Sequence, residues 1–289
     1  MILRVFPRRT SATPTDHLAF VGDPPLSIPD GATEVHVSCA FTWDMPRAEE
    51  LALSWSRFGL PVSIGGPTLG IPSGDFVPGR YLRDGYTITS RGCPNRCWFC
   101  SVWRREQGVR ELPIMPGWIL QDDNLLACRE NHILSVFEML REQQHPIVFS
   151  GGIEADLLQE WHIDLLTTIN VGQIFCAYDT ADDLEPLRVA GDMLNQVGIT
   201  FANRKARAYV LCGYPQDTIS DADHRMMQTI EAGFMPQSML YRDSKGAVDS
   251  SWGRFHRLWA RPAIIAARHK PTAAAKPDNQ AQLSMTDQL

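Results

Sequence analysis

The sequence predicts an α/β protein: an open or partial barrel of six β–α units, (β/α)6, preceded by a small N-terminal βαβ lobe. Three observations carry this. From residue 85 onward, short apolar strands alternate with helices whose apolar residues recur at helical spacing, the pattern of a parallel sheet covered by helices. The series holds roughly six units, short of the eight that close a barrel. A Gly- and Pro-rich stretch, "TLGIPSGDFVPGRYLRDG" at 67–84, separates it from an earlier strand–helix–strand unit. A flat doubly wound sheet is the other way to arrange the same elements.

The lobe and its linker take residues 1–80. Within 34–66, "EVHVSC" alternates β-branched residues and "PVSIGGP" is a short strand. Between them, "PRAEELALSWSRF" puts Leu51, Trp55 and Phe58 on one helical face, with Pro46 in its first turn and Gly59 at its end. The span suits a right-handed parallel crossover.

The barrel takes 81–245, with strands "YTITS", "GWILQDD", "PIVFSGG", "QIFCAYD", "RAYVLCGYP" and "PQSMLY". Ile133, Phe137 and Leu140 mark a helix in "NHILSVFEMLREQQ", and "LLQEWHIDLLTTI" reads as helical. Leu184, Leu187, Leu194 and Val197 share a helix that Gly198 ends. Ser220 with Asp223 is expected to cap the helix holding Met226, Met227 and Ile230. Residues 246–267 interleave Trp252, Phe255 and Trp259 with Arg254, Arg257 and Arg261. This segment is expected to be a helix burying its aromatics on the barrel; stacking on nucleic-acid bases is the alternative. The tail, 268–289, is poor in bulky apolar residues and is expected to be disordered.

A chain of 289 residues, 44% hydrophobic and 21% charged, is globular in composition, and a net charge of −6 argues against a protein that coats nucleic acid. The apolar run of "MILRVFPRRT" breaks at Arg4, too early for a signal-peptide core, and no segment approaches the length of a membrane span. A cytoplasmic, reducing location is therefore expected. Seven cysteines, four of them isolated at Cys39, Cys128, Cys176 and Cys212, make a poor disulfide framework. Cys176 and Cys212 fall within strands, where a thiol behaves as a small buried apolar group.

The other three gather in "TSRGCPNRCWFCSVW", residues 89–103, as Cys93, Cys97 and Cys100. They directly follow a strand, at the carboxyl edge where parallel α/β folds place their chemistry. Thiolates bind iron–sulfur clusters and zinc alike, but a structural zinc site closes with four protein ligands. A zinc knuckle would need a distant histidine such as His36 or His132, and neither stands at ligand spacing. Three local thiols favour a cluster with one open corner. Arg91, Arg96, Arg104, Arg105 and Arg110 surround the loop. A solvated face is the expectation for them, with neutralising a cluster or holding an anionic substrate as alternatives.

The spacing Cys93-x-x-x-Cys97-x-Phe99-Cys100, with the units over 81–243, resembles the signature of the radical S-adenosylmethionine (SAM) superfamily. The resemblance implies a partial, TIM-like (β/α)6 barrel. It also implies that Cys93, Cys97 and Cys100 hold a [4Fe–4S] cluster whose fourth iron takes the amino and carboxylate groups of SAM. Reductive cleavage would then give methionine and a 5′-deoxyadenosyl radical that abstracts hydrogen from a substrate. A low-potential electron donor, flavodoxin or ferredoxin, is implied as partner; the substrate is not named. Phe99 would pack near the adenine. Gly151, Gly152 and Glu154 resemble the glycine–glycine–glutamate element that receives SAM's amine, although they follow the third strand rather than the second, which ends in Asp122-Asp123-Asn124. Asp122 or Glu154 would meet the amine, with Asp122 capping the next helix as the alternative. Asp179 lies where ribose or carboxylate contacts are often made. "CGYPQDT", beginning at Gly213, resembles the turn that lies along adenine.

The lobe resembles the latter part of the cobalamin-binding domain fused to one branch of this superfamily. The D-x-H-x-x-G element that ligates cobalt is absent, so cobalamin is not expected and the lobe reads as a degenerate remnant. The competing functions are a non-enzymatic iron–sulfur or zinc protein that binds nucleic acid, and a cobalamin-type radical SAM methyltransferase.

Overall fold

The structure, a computed structural model, describes residues 1–243 and 246–268; the expected tail falls, apart from Arg268, outside the described residues. The chain is mixed α/β, built on parallel sheets. The amino-terminal sheet contains β1 (Ile2–Phe6), β2 (Ala19–Val21), β3 (Glu34–Ser38) and, after helix α1 (Met45–Trp55), β4 (Val62–Gly65). Its order is β2-β1-β3-β4, all parallel. The expected βαβ unit is thus extended by two strands. Arg4, which interrupts the first apolar run, nevertheless sits in β1 and is buried. Its guanidinium pairs with Asp16 and donates to the carbonyls of Gly79 and Arg80 at 2.8 and 3.0 Å, which offsets the cost of burying a charge. Leu3, Val5, Val35, Val37, Leu51 and Trp55 form this sheet's core. Gly59, at φ 72°, ends the turn after α1 in a conformation suited to glycine.

The larger part begins with β5 (Tyr86–Thr87), β6 (Ser90–Arg91), α2 (Val102–Arg105), β7 (Arg110–Glu111), β8 (Ile119–Leu120), α3 (Glu130–Arg141) and β9 (Ile147–Phe149). It continues with α4 (Glu160–Thr167), β10 (Val171–Tyr178), α5 (Leu184–Gln196), β11 (Ala206–Cys212), α6 (Ile219–Glu231) and β12 (Met235–Leu240). Helices α7 (Ser250–Trp259) and α8 (Pro262–Arg268) follow. Six strands form one parallel sheet in the order β12-β11-β10-β9-β8-β5, each beside its predecessor among these six in the chain. β6 and β7 are a small antiparallel ribbon that the sequence did not suggest.

Register separates the two faces of this sheet. Leu120, Phe149, Ile174, Ala206 and Ala208 point to the helix-covered core. The opposite face carries Phe175, Ala177, Arg207, Tyr209, Gln237 and Met239. Parallel strands are ordinarily buried on both faces, yet Ala177 on the interior strand β10 is exposed. Burial pushes the Tyr209 phenol on β11 up to about 12, and its hydroxyl donates to the Ser150 carbonyl after β9 at 3.0 Å.

The cap of α6 is Thr218, whose hydroxyl accepts the Asp221 N–H at 3.1 Å, not Ser220. In α7, Phe255 and Trp259 are buried, while Trp252 packs against the core and Gly213. Phe255 and Trp259 thus face the core, and Trp252 is partly exposed.

Candidate functional site

The three cysteines lie on the loop between β6 and α2, which the end of β8 holds in place. Gly92 turns at φ 90° against the backbone of Gly108, so close that a Cβ would overlap its carbonyl. The Gly92 N–H donates to Asp123 Oδ2 at 2.9 Å. Asp123 also meets Arg91 at 3.4 Å and Arg105 at 3.3 Å, and Arg105 meets Glu106 at 3.2 Å. Arg91 and Arg105 are therefore neutralised beneath the loop rather than solvated. Glu106 further accepts the Ser73 N–H at 3.0 Å, fastening the linker to the same spot.

Cys97 is exposed, and Cys93 and Cys100 are partly so. Partial burial pushes the Cys97 thiol up, and the charges of Cys100, Cys93 and Asp179 push it the same way. Among the described residues, no three His, Cys, Asp or Glu side chains converge as a group that could hold a metal ion. The chemistry of the donor set suits thiolate-bound iron: three soft sulfurs, two of them receiving N–H donors. Asn124 Nδ2 reaches Cys93 Sγ at 3.4 Å and the Val102 N–H reaches Cys100 Sγ at 3.5 Å.

Glu154 joins this group. Its carboxylate accepts from Asn95 at 2.8 Å and from Asn124 at 2.5 Å, so Asn124 bridges a cysteine and the acid. Gly152, at φ 97°, turns the chain into that acid with no atom crowding a Cβ position closer than 3.9 Å. Gly151 has a different reason to be glycine, because a Cβ there would collide with the Asp122 carbonyl oxygen. Asp179 closes the group at the end of β10, where its Oδ1 accepts the Leu211 N–H at 3.2 Å. Burial, then the neighbouring Asp183 charge, pushes its carboxyl up to about 7.

Phe99 is partly buried, edge-on to Trp98 at 5.4 Å. Trp98 is 50% exposed and also touches Tyr214 at 5.7 Å and Tyr241 at 5.8 Å. This links Phe99 to the turn after β11 and the end of β12. Gly213, at φ 74°, lies inside that turn, where its N–H donates to Asp217 Oδ2 at 2.7 Å and its α-carbon faces Leu240 and Trp252.

Asp122 does not belong to the group. It points to the helix-covered face, 3% exposed, and accepts from Thr89 N–H at 2.6 Å, Thr89 Oγ1 at 2.6 Å and Ser90 N–H at 3.1 Å. Asp122 is thereby a latch that ties the β5–β6 segment to the end of β8. Sequence reasoning left out Asn95, Trp98, Tyr214 and Tyr241, and it gave Asn124 no role. Asn95 lies between two of the cysteines, which is the one signal that points to it.

All seven cysteines are free thiols. No helix among the described residues is long and apolar enough to cross a membrane. No protein-family model and no curated protein matches the chain.

Proposed function

We propose that this chain is a radical SAM enzyme acting on a substrate yet to be identified. The single observation that carries this is that Asn124 and Asn95 join the cysteine loop, at Cys93, to the Glu154 carboxylate at the carboxyl edge of a parallel sheet. When bound, a [4Fe–4S] cluster supplies the electron that splits SAM into methionine and a 5′-deoxyadenosyl radical. The chain's own residues hold and orient. Cys93, Cys97 and Cys100 would hold the cluster through their thiolates. Asn124 fixes the Cys93 sulfur and the Glu154 carboxylate together, and Glu154 offers its charge to SAM's ammonium group. Asp179 offers a second polar contact, for ribose hydroxyls, from the neighbouring strand. Phe99 and Tyr214 offer flat faces to adenine.

A partial, TIM-like (β/α)6 barrel is the finer architecture that goes with this function. Its support is curvature toward the face that carries Tyr209, whose hydroxyl on β11 reaches past β10 to donate to the Ser150 carbonyl after β9 at 3.0 Å. The exposed Ala177 and Met239 then face the hollow of that curve, where a substrate would lie and water would be excluded from the radical. Seven free thiols go with a cytoplasmic, reducing setting, and a flavodoxin or ferredoxin would deliver the electron.

The test is anaerobic reconstitution with iron and sulfide, followed by SAM and dithionite. Release of 5′-deoxyadenosine supports the proposal; a reconstituted chain that releases none refutes it.

A further inference from the structure

Two apolar side chains of the amino-terminal lobe stand in solvent. Leu26 is 101% exposed and Leu53 77%, the highest values for large hydrophobic residues among those described. One exposed leucine needs no explanation, but these two share one place. Helix α1 turns Ala48, Leu51 and Trp55 inward, so Leu53, about half a turn around the axis from Leu51, stands on the outward face. The loop that carries Leu26 is fastened to the same helix and the turn after it at three points. Trp55 Nε1 donates to the Gly22 carbonyl at 3.2 Å, Arg47 pairs with Asp23 at 2.7 Å, and Arg57 donates to the Pro25 carbonyl at 2.5 Å. The loop is held, and Leu26 is presented outward beside Pro25 instead of folding against α1.

The charges around Leu53 fit a copy of themselves. Glu49 lies one turn before Leu53, and Arg57 lies one turn after it, in the short helical turn that continues α1. Both are exposed, and neither has an ion-pair partner among the described residues. If two such helices cross antiparallel about an axis at Leu53, Glu49 of each copy meets Arg57 of the other, twice by symmetry. Leu53 then packs on Leu53 at the axis and Leu26 flanks the contact. Parallel pairing would instead set Glu49 on Glu49 and Arg57 on Arg57, so the order of charge selects the antiparallel arrangement.

We propose that the outward face of α1, with Leu26 and Leu53, is a self-complementary surface on which two copies of this chain pair with twofold symmetry. It shares no residue with the cysteine loop and does not depend on the cluster-binding function proposed above. One helix face and one loop are a small area beside a standard protein interface, so the dimer is weak and forms in the micromolar range.

The test is sedimentation velocity on the full chain over a concentration series from micromolar to millimolar. Wild type shifts from one chain to two as concentration rises, and the dimer loosens as salt is added. Leu53→Asp, at a side chain outside the lobe's core, stays monomeric throughout while its melting temperature matches that of monomeric wild type. Leu26→Ser weakens association about tenfold. Glu49→Arg sets a cation against each Arg57, weakens association about tenfold and reverses its salt dependence, so that this variant pairs better as salt rises. A dimer that Leu53→Asp leaves intact overturns the proposal, as does one whose strength and salt dependence Glu49→Arg leaves unchanged. So does a wild-type chain that stays single across the series, whether it remains free or floats with phosphatidylcholine vesicles through the same leucines.

Discussion

Asp122 and Glu154 are two carboxylates near one loop with opposite duties. Asp122 is enclosed, and burial pushes its carboxyl above the ordinary range even though three donors meet it. Asp122→Ala strands those donors and is expected to cost about 3 kcal/mol of stability, read as a lower denaturant midpoint. Glu154 faces the cysteine loop and receives two amide donors. Glu154→Ala is expected to leave iron content unchanged and to raise the Kd for SAM tenfold to a hundredfold, about 1.5–3 kcal/mol for a charge-assisted contact. If both variants lower stability alike and neither changes SAM binding, the division of roles is wrong. In the sequence the two residues look interchangeable, because each follows an apolar strand. Their surroundings separate them: Thr89 and Ser90 enclose Asp122, whereas Glu154 meets Asn95 of the cysteine loop.

Elements were legible where an apolar period ran for several turns or several strand residues. Helices α3, α5 and α6 and strands β9 to β12 overlap the segments marked in the sequence, with β10 starting two residues earlier and α3, β11 and β12 one residue earlier. Short β5 and β8 were read from YTITS and GWILQDD, but other short pieces were not. The β6–β7 ribbon has two residues on each side, too few to show alternation, and it exists because Ser90–Arg91 meets Arg110–Glu111 across a long loop. Strand β1 was hidden by Arg4, whose partners Asp16, Gly79 and Arg80 come from distant parts of the chain.

At α4 the structure makes a pH prediction. His162 caps the helix through Nδ1, which accepts the Gln159 N–H at 3.0 Å, while its buried Nε2 has no partner. Burial lowers it from 6.5 to about 4, so the folded protein holds it neutral while the unfolded chain protonates it near 6.5. Its contribution is present above pH 6.5 and is lost as pH falls toward 4. The loss is at most about 3 kcal/mol. His162→Gln, which keeps an acceptor and does not titrate, is expected to flatten the stability profile across that window in denaturant melts. A variant profile that parallels wild type would contradict this.

Across the whole molecule, the amino-terminal sheet and the larger sheet are joined by defined contacts. Arg4 reaches the linker, Arg83 N–H donates to the Ala12 carbonyl at 2.9 Å, and Arg242 lies over Trp43 at 5.1 Å. Tyr241, beside Arg242, touches Trp98, so the carboxyl edge of the smaller sheet is connected to the cysteine loop within a few residues. The cysteine spacing was visible in the sequence, but the company it keeps was not. Asn124, Glu154 and Asp179 come from three strand ends, and only the sheet order places them around one loop. The central claim is that three thiolates hold a four-iron cluster with one iron left open to SAM. Mössbauer spectroscopy of the chain reconstituted with iron-57 tests it most directly. The account predicts [4Fe–4S] signals in which one iron site shifts when SAM is added; mononuclear iron alone, or a cluster spectrum indifferent to SAM, would contradict it.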